Sequence, residues 1–205
     1  MKHYICLGNC GFASGSPGLC WSQKCSKYGE SLAECQSEKK SVKNNKTILI
    51  TGGAGFIGSA ALRRLFNKYP NYKFIVLDAL TYSGYVRNIP ENMKNSPNFE
   101  FHYGNIKNQK IVEQLMPMAD IVLHFAAETH VDRSIHGGAE SFVITNTWGP
   151  FNFLEYVKDR EVKKYVQVST DEVYGSLGLG SKEKFTEATH HFDPHSPYSA
   201  TNAGG

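Results

Sequence analysis

The chain has 205 residues, of which 40% are hydrophobic and 12% aromatic, and it carries a formal net charge of +3. That length accommodates one or two globular domains, and a charge so small and scattered argues against a nucleic-acid partner. No apolar stretch is long enough to cross a membrane. The opening MKHYICLGNCGF lacks an apolar core ahead of a small-residue cleavage site, so no secretory leader is expected and the cytoplasm is the default location.

Residues 1–36 are rich in Gly, Ser and Cys and contain all five cysteines, Cys6, Cys10, Cys20, Cys25 and Cys35. Three readings stay open. Cys6, Cys10, Cys20 and Cys25 could bind zinc tetrahedrally and so let a short piece fold. The segment could be a reduced, flexible tail, or it could carry disulfides. The absence of C-x2-C pairs and the odd count weigh against a metal. His3 reads as a solvated residue. Residues 37–46, SEKKSVKNNK, are polar and lysine-rich and read as a linker. The cysteine segment is therefore expected to be separable from the rest of the chain.

From Thr47 the pattern alternates. An apolar run from Thr47 to Thr51 predicts a strand. Gly52, Gly55 and Gly58 come next, with a helix from Phe56 to about Lys68 that Pro70-Asn71 ends. A second strand spans Lys73 to Asp78. A loop rich in Asn, Ser, Pro and Gly runs from Ala79 to Asn98, before a third strand, Phe99 to Tyr103. A short helix over Gln109 to Met116 precedes a fourth strand, Asp120 to Phe125. A longer helix from about Ala139 to Asp159, kinked near Gly149-Pro150, leads to a fifth strand, Lys164 to Ser169. Repeated strand and helix imply an α/β, doubly wound parallel sheet of the Rossmann kind over residues 47–205.

Such sheets bind ligands at the carboxyl ends of their strands. A glycine triplet alone can be an ordinary tight turn. Here it lies between a strand and a helix, and the second strand ends in Asp78, about 20 residues after the last glycine, where an acid hydrogen-bonds the adenosine ribose. Gly52 permits the turn, Gly55 lets the backbone approach a pyrophosphate, and Gly58 lets helix and strand pack. The helix N-terminus offers free N–H groups to the phosphates. The carboxylate of Asp78 would repel a 2′-phosphate, so NAD is expected rather than NADP.

The fifth strand runs into Ser169-Thr170-Asp171-Glu172, and Tyr198 lies further on in HSPYSATN, where Ser196-Pro197 reads as a helix start. An isolated Asp-Glu pair is usually a solvated loop. Two carboxyls, a hydroxyl and a phenol at one edge of a cofactor crevice are instead the groups that acid–base chemistry needs. His190, His191 and His195 read as a solvated loop and not as a metal site.

TGGAGFIGS, HFAAETHVDRS, STDEVYG and SPYSATN together resemble the extended short-chain dehydrogenase/reductases. Within them, DALTYSG from Asp78 to Gly84, HFAAETHVDRS and STDEVYG resemble the nucleotide-sugar 4,6-dehydratases, nearest to those acting on dTDP-glucose. The resemblance covers roughly Thr47 to Asn202. It implies an NAD-dependent conversion of dTDP-glucose or UDP-glucose to a 4-keto-6-deoxy sugar, with NAD used but not consumed. It implies that Tyr198 takes the proton of the sugar 4-hydroxyl, which Thr170 orients. Glu172 then removes the C5 proton and Asp171 protonates the departing 6-hydroxyl. Cofactor contacts carried over are Gly52, Gly55, Phe56, Ile57 and Gly58 at the pyrophosphate, Asp78 and Thr81 near the ribose, and Asn105 and Ile106 at the adenine. Ala126, Ala127, Thr145 and Val168 lie along the rest. Glu128, Thr129 and His130 would face the sugar, and a homodimer through the helices of this region is an expectation.

The chain departs from the family pattern in three places. Tyr198 and Asn202 stand where the family has Tyr-x-x-x-Lys. The lysine holds the nicotinamide ribose, a place Asn202 would take without the charge that favours a tyrosinate. Asn105 replaces an aspartate. The sequence stops at Gly204-Gly205, inside what should be a long helix, so the resemblance leaves out the last strands and the substrate lobe. A fragment or incorrect gene end and a shortened protein are both compatible with this. The rivals to a dehydratase are a non-catalytic cofactor-binding relic and a sibling epimerase; Asp171-Glu172 opposes the latter.

Overall fold

The computed structural model describes residues 3–5, 13–14, 20, 26–27, 30–35, 46–158, 162–189 and 191–205. Its centre is an all-parallel sheet of five strands: β4 (Thr47–Thr51), β5 (Lys73–Asp78), β6 (Phe99–Tyr103), β7 (Ile121–His124) and β8 (Lys164–Gln167). They lie in the order β6-β5-β4-β7-β8. From β4 the chain builds outward through β5 to β6, then returns to the other side of β4 for β7 and β8. The reversal between β4 and β7 opens a crevice at their carboxyl ends, where sheets of this kind bind ligands.

The middle strands read as unbroken apolar runs because both faces of the sheet are covered. Ile48 and Ile50 of β4 pack with Phe74, Val76 and Leu62 on one face, the last from helix α1 (Phe56–Lys68). Leu49 packs with Ile75, Leu77, Val122 and Phe153 on the other. There the covering helices are α3 (Gln109–Leu115), through Val112 and Leu115, and α6 (Gly149–Lys158), through Phe153.

Three stretches differ from the sequence-based expectation. Ala79 to Asn98 is not all loop: a 3-10 turn at Val86–Asn88 and a short helix, α2 (Glu91–Lys94), anchor it by burying Ile89 and Met93 in the first cluster. HFAAETHVDRS contains a helix of its own, α4 (Val131–His136). The long helix is interrupted earlier than its proline suggests. A short α5 (Glu140–Phe142) passes into a π-helical turn, Val143–Trp148, and then into α6. Pro150 cannot donate to the carbonyl four residues before it, and the widened turn sits on that N-terminal side. The last helix, α7 (Pro197–Ala203), starts at Ser196, which caps it in a reciprocal box with Ser199.

Strands β1 (His3–Ile5), β2 (Ala13–Ser14) and β3 (Ala33–Cys35) form a separate antiparallel sheet, ordered β2-β1-β3. Tyr4, Cys20 and Leu32 belong to the same hydrophobic cluster as Phe74, Phe99 and Phe101, and Cys20 and Leu32 are buried. Cys6, Cys10, Cys25, His190 and residues 36–45 of the expected linker lie outside the described residues. Among those described, no three His, Cys, Asp or Glu are placed to share a metal ion, and no helix is long and apolar enough to cross a membrane.

The shared cluster changes the expectation of separability. Leu32→Ala should destabilise the five-stranded sheet by roughly 2 kcal/mol or more, the range for truncating a buried leucine. Urea denaturation followed on that sheet checks this; an unchanged midpoint would mean that the N-terminal strands fold apart.

Candidate functional site

The crevice at the reversal point is lined by Gly52 and Gly55 from the turn after β4 and by Asp78, Ala79, Thr81, Ser83 and Gly84 after β5. Gly104, Asn105 and Ile106 after β6, Phe125 to Glu128 after β7, and Thr145 of the π turn complete it. Of the expected cofactor residues, the fold thus gathers Gly52, Gly55, Asp78, Thr81, Asn105, Ile106, Ala126, Ala127 and Thr145 around one cleft, together with Glu128.

Two glycines are required by geometry. Gly52 has φ +66°, and a Cβ there would come within 2.7 Å of the Ala126 nitrogen. A Cβ on Gly58 would collide with the Gly52 carbonyl oxygen, so the helix could not start so close to the turn. Gly55 caps α1 without a side-chain hydrogen bond, leaving the first amides of that helix to face the crevice. The side chains of Phe56 and Ile57 are exposed, at 88% and 61%, so these residues offer backbone N–H groups and not side chains to a phosphate.

Asp78 is buried at the end of β5. Its carboxylate accepts from the Ala54 amide and the Leu80 amide, each at 2.8 Å. Burial pushes its pKa up, against the pull of those two donors. The acid thus ties the glycine turn to the loop after β5. Asn88 reinforces the tie by donating to the Ala54 carbonyl at 2.8 Å.

At the end of β7, buried His124 lies in hydrogen-bond contact with Thr51, 3.1 Å from Oγ1 to Nδ1. That hydroxyl also accepts from the Ala126 amide at 3.2 Å, which leaves its proton for the imidazole. Burial alone pushes the His124 pKa down to about 3. The unfolded chain takes up a proton on this histidine from about pH 6.5 downward and the folded chain does not. Stability present above pH 6.5 is therefore lost as pH falls toward 3, at up to about 1.4 kcal/mol per pH unit. Urea titrations of the protein and of His124→Gln should diverge in slope over this window; parallel slopes would refute the assignment.

Glu128 is the only expected substrate residue that lines the cleft. Burial pushes its carboxyl up, Arg133 pulls it down, and its Oε2 finds no hydrogen-bond partner among the described residues. Thr129 and His130 lie on the rim, where Thr129 meets Tyr82.

Sequence reasoning missed Asn146. Buried in the π turn, its Oδ1 accepts from the Glu128 amide at 2.8 Å, and its Nδ2 donates to the Glu128 carbonyl at 3.0 Å and to Thr201 Oγ1 at 3.3 Å. Thr201 donates to the carbonyls of Pro197 and Tyr198. One amide thus joins the end of β7 to the helix that carries Tyr198. An asparagine inside a predicted helix, three residues before a glycine-proline pair, was the available signal.

None of the expected acid–base groups lines the cleft; they connect to it through α7 and the π turn that carries Thr145. Thr170 caps a 3-10 turn, Asp171–Tyr174, accepting from the Glu172 amide at 3.3 Å. Helix α7 packs against this turn, against α4 and α5, and against the π turn. Tyr198 meets Phe142 edge-on, with ring centroids 6.4 Å apart. Asp171 is exposed, whereas Glu172 and Tyr198 are half-buried. Asn202 folds back along its own helix, donating to the Tyr198 carbonyl at 2.8 Å. Val168 does not line the cleft; its amide donates to the His124 carbonyl at 3.1 Å.

A family model described as GDP-mannose 4,6 dehydratase matches residues 49–205. The low-salt glycan biosynthesis protein Agl12 of Haloferax volcanii is 45% identical over 157 residues, covering 77% of this chain and 48% of that protein. A dTDP-glucose 4,6-dehydratase of Mycobacterium tuberculosis is 41% identical, with 77% of this chain and 46% of that one covered. The crystal structure of DesIV, a dTDP-glucose 4,6-dehydratase from Streptomyces venezuelae with NAD and TYD bound, superposes with a TM-score of 0.70 at 41% identity. It covers 77% of this chain and 48% of that one. The chain spans about half the length of the curated relatives it matches.

Proposed function

The chain belongs to the GDP-mannose 4,6-dehydratase family, and from that premise we propose that it is the NAD-binding part of an enzyme that dehydrates a nucleotide-activated glucose to a 4-keto-6-deoxy sugar. The observation that carries this reading is the juxtaposition of two features. The dinucleotide crevice lined by Gly52, Gly55 and Asp78 also takes in Thr145 of the π turn, and the Tyr198 helix packs against both that π turn and the Asp171–Glu172 turn. An epimerase shares the crevice but has no use for an adjacent acid and base.

NAD held in the crevice would supply a hydride acceptor for C4 of the sugar and a hydride donor for C6. The residues of the chain do the rest. The amides at the start of α1 take the pyrophosphate, Asp78 the adenosine ribose, and Asn105 and Ile106 flank the adenine. Tyr198 accepts the 4-hydroxyl proton while Thr170 orients that hydroxyl. The resulting ketone acidifies C5–H, which Glu172 removes, and Asp171 protonates the leaving 6-hydroxyl, so that water departs; Glu172 then gives its proton back to C5 as hydride reaches C6. Glu128, with an unsatisfied oxygen at the cleft, is suited to a sugar or ribose hydroxyl.

We also assign a homodimer and a cytoplasmic location. The exposed side chains of Val143, Trp148, Phe151 and Leu154 present an apolar face along the π turn and α6, with the Trp148 and Phe151 rings 5.0 Å apart. Residues 1–36 are proposed as an N-terminal segment that docks on the five-stranded sheet through Tyr4, Cys20 and Leu32.

The test is NMR detection of a 4-keto-6-deoxy sugar from dTDP-glucose and UDP-glucose. It uses a chimera in which this chain is joined to the remaining half of a relative. A C4-epimerised product in its place would favour the epimerase, and no product from a chimera that binds NAD would favour a non-catalytic relic.

A further inference from the structure

The loop after β5 and the segment after β7 meet across the outer rim of the crevice. The meeting point is Tyr82, at the tip of a tight turn closed by the Gly84 amide on the Thr81 carbonyl at 3.2 Å. Its neighbours Thr81 and Ser83 line the cleft, while Tyr82 itself does not. It reaches the opposite wall, where its hydroxyl lies 3.2 Å from both the carbonyl oxygen and Oγ1 of Thr129. The Arg133 guanidinium covers the tyrosine ring at 3.9 Å from its centroid, and the same guanidinium lies 3.7 Å from Glu128 Oε2. Hydrogen bonds and a cation–π contact thus converge on one tyrosine that bridges the two sides, while the Arg133–Glu128 pair holds the guanidinium within the segment after β7.

The backbone on both sides of this bridge is strained. Among the described residues, Leu80 (φ 50°) and His130 (φ 93°) are the only non-glycine residues with positive φ. Leu80 lies two residues before Tyr82, and His130 directly follows Thr129. Such conformations persist only where surrounding contacts hold them, and they cluster at ligand clamps and switch regions. The hydrogen bonds of the Tyr82 hydroxyl and the stacking of Arg133 on its ring favour the closed rim.

We infer that Tyr82, with Thr129 and Arg133, is a latch over the crevice that retains the dinucleotide between turnovers. The inference rests on the proposed NAD site and adds to it a set of retaining residues that touch the cofactor's exit and not its chemistry. Such retention suits a reaction in which the cofactor ends in the redox state in which it began, because release during the cycle would strand a half-reacted sugar. A latch restricts passage in both directions, so weakening it speeds both association and dissociation and moves the Kd much less than either rate. A residue that merely contacts the cofactor would raise dissociation alone.

The test measures both rates with isotope-labelled NAD, chased by unlabelled NAD, on the full chain and on Tyr82→Phe, Tyr82→Ala, Thr129→Val and Arg133→Met. Thermal melts establish that each variant is folded. Removing only the hydroxyl, as in Tyr82→Phe, should raise both rates by roughly three- to tenfold, the value of one hydrogen bond. Tyr82→Ala, which also loses the ring on Arg133, should raise them further. Unchanged rates in folded variants, or a rise in dissociation alone, would overturn the latch while leaving the NAD site intact. If the unmodified chain shows no saturable NAD binding, the cofactor reading itself fails and takes the latch with it.

Discussion

Asp78→Ala is expected to weaken NAD binding by roughly 30- to 1,000-fold, and to do so by two routes. The direct route is loss of the acid proposed to hold the adenosine ribose hydroxyls. The indirect route is visible in the fold: the same carboxylate accepts from the amides of Ala54 and Leu80, so it sets the spacing between the glycine turn and the loop after β5. Each hydrogen bond to a charged group contributes about 1.5–3 kcal/mol. Losing one such bond to the cofactor and loosening the turn gives that range. Burial, which raises the pKa of this carboxyl, means that the folded protein holds its proton to higher pH than the unfolded chain does. Its contribution to stability is therefore greatest at low pH and falls as pH rises through the folded pKa, whereas ribose binding requires the ionised form. Asp78→Asn keeps an acceptor for one amide and should fall between the two. Equilibrium titration with NAD and NADP checks all three proteins. The unmodified chain should prefer NAD, and equal affinity for the two cofactors, or an alanine variant within about threefold of the parent, would sink the assignment.

Residues 1–205 assayed by themselves are expected to release no 4-keto-6-deoxy sugar, and Asn202→Lys alone is expected not to restore release. Two defects act in series. Asn202 carries no charge, and its amide is engaged with the Tyr198 carbonyl on the same helix, so the proposed tyrosinate lacks the cation that would favour it. Separately, this chain spans about half the length of its relatives, and the described residues around the Asp171–Glu172 turn offer no second lobe to grip a nucleotide. Remote binding energy orients the reacting sugar, and without it the rate falls together with the affinity. General-base assistance contributes typically about 10²–10⁴-fold, so repairing the base alone leaves positioning limiting. The same NMR assay applied to the chain, to its lysine variant and to chimeras with and without lysine separates the two. Turnover by residues 1–205 would refute the prediction, and an active chimera that retains Asn202 would show that the lysine is dispensable.

The central strands β4 and β5 were legible because each holds an apolar run that leads into a glycine or ends at an acid, and a strand buried on both faces needs little else to declare itself. Gly52, Gly55, Gly58 and Asp78 were legible for a related reason: their roles depend on backbone conformation and on spacing along the chain, which a sequence records directly. Asn146, Thr201 and Arg133 were not, because their partners are distant in sequence and only the packing of α7 against the π turn, or of one loop against another, brings them together. The short strands β1, β2 and β3 showed no periodic signal, since two or three residues cannot display alternation, and it is the apolar surface of Phe99 and Phe101 that gives Leu32 and Cys20 somewhere to bury. Local conformation and hydrophobic periodicity are properties of neighbouring residues and so belong to the sequence alone. The pairing of Glu128 with Asn146, the bridge from Tyr82 to Thr129 and the burial of His124 arise from contacts between segments far apart along the chain, and only the folded sheet decides which of them meet.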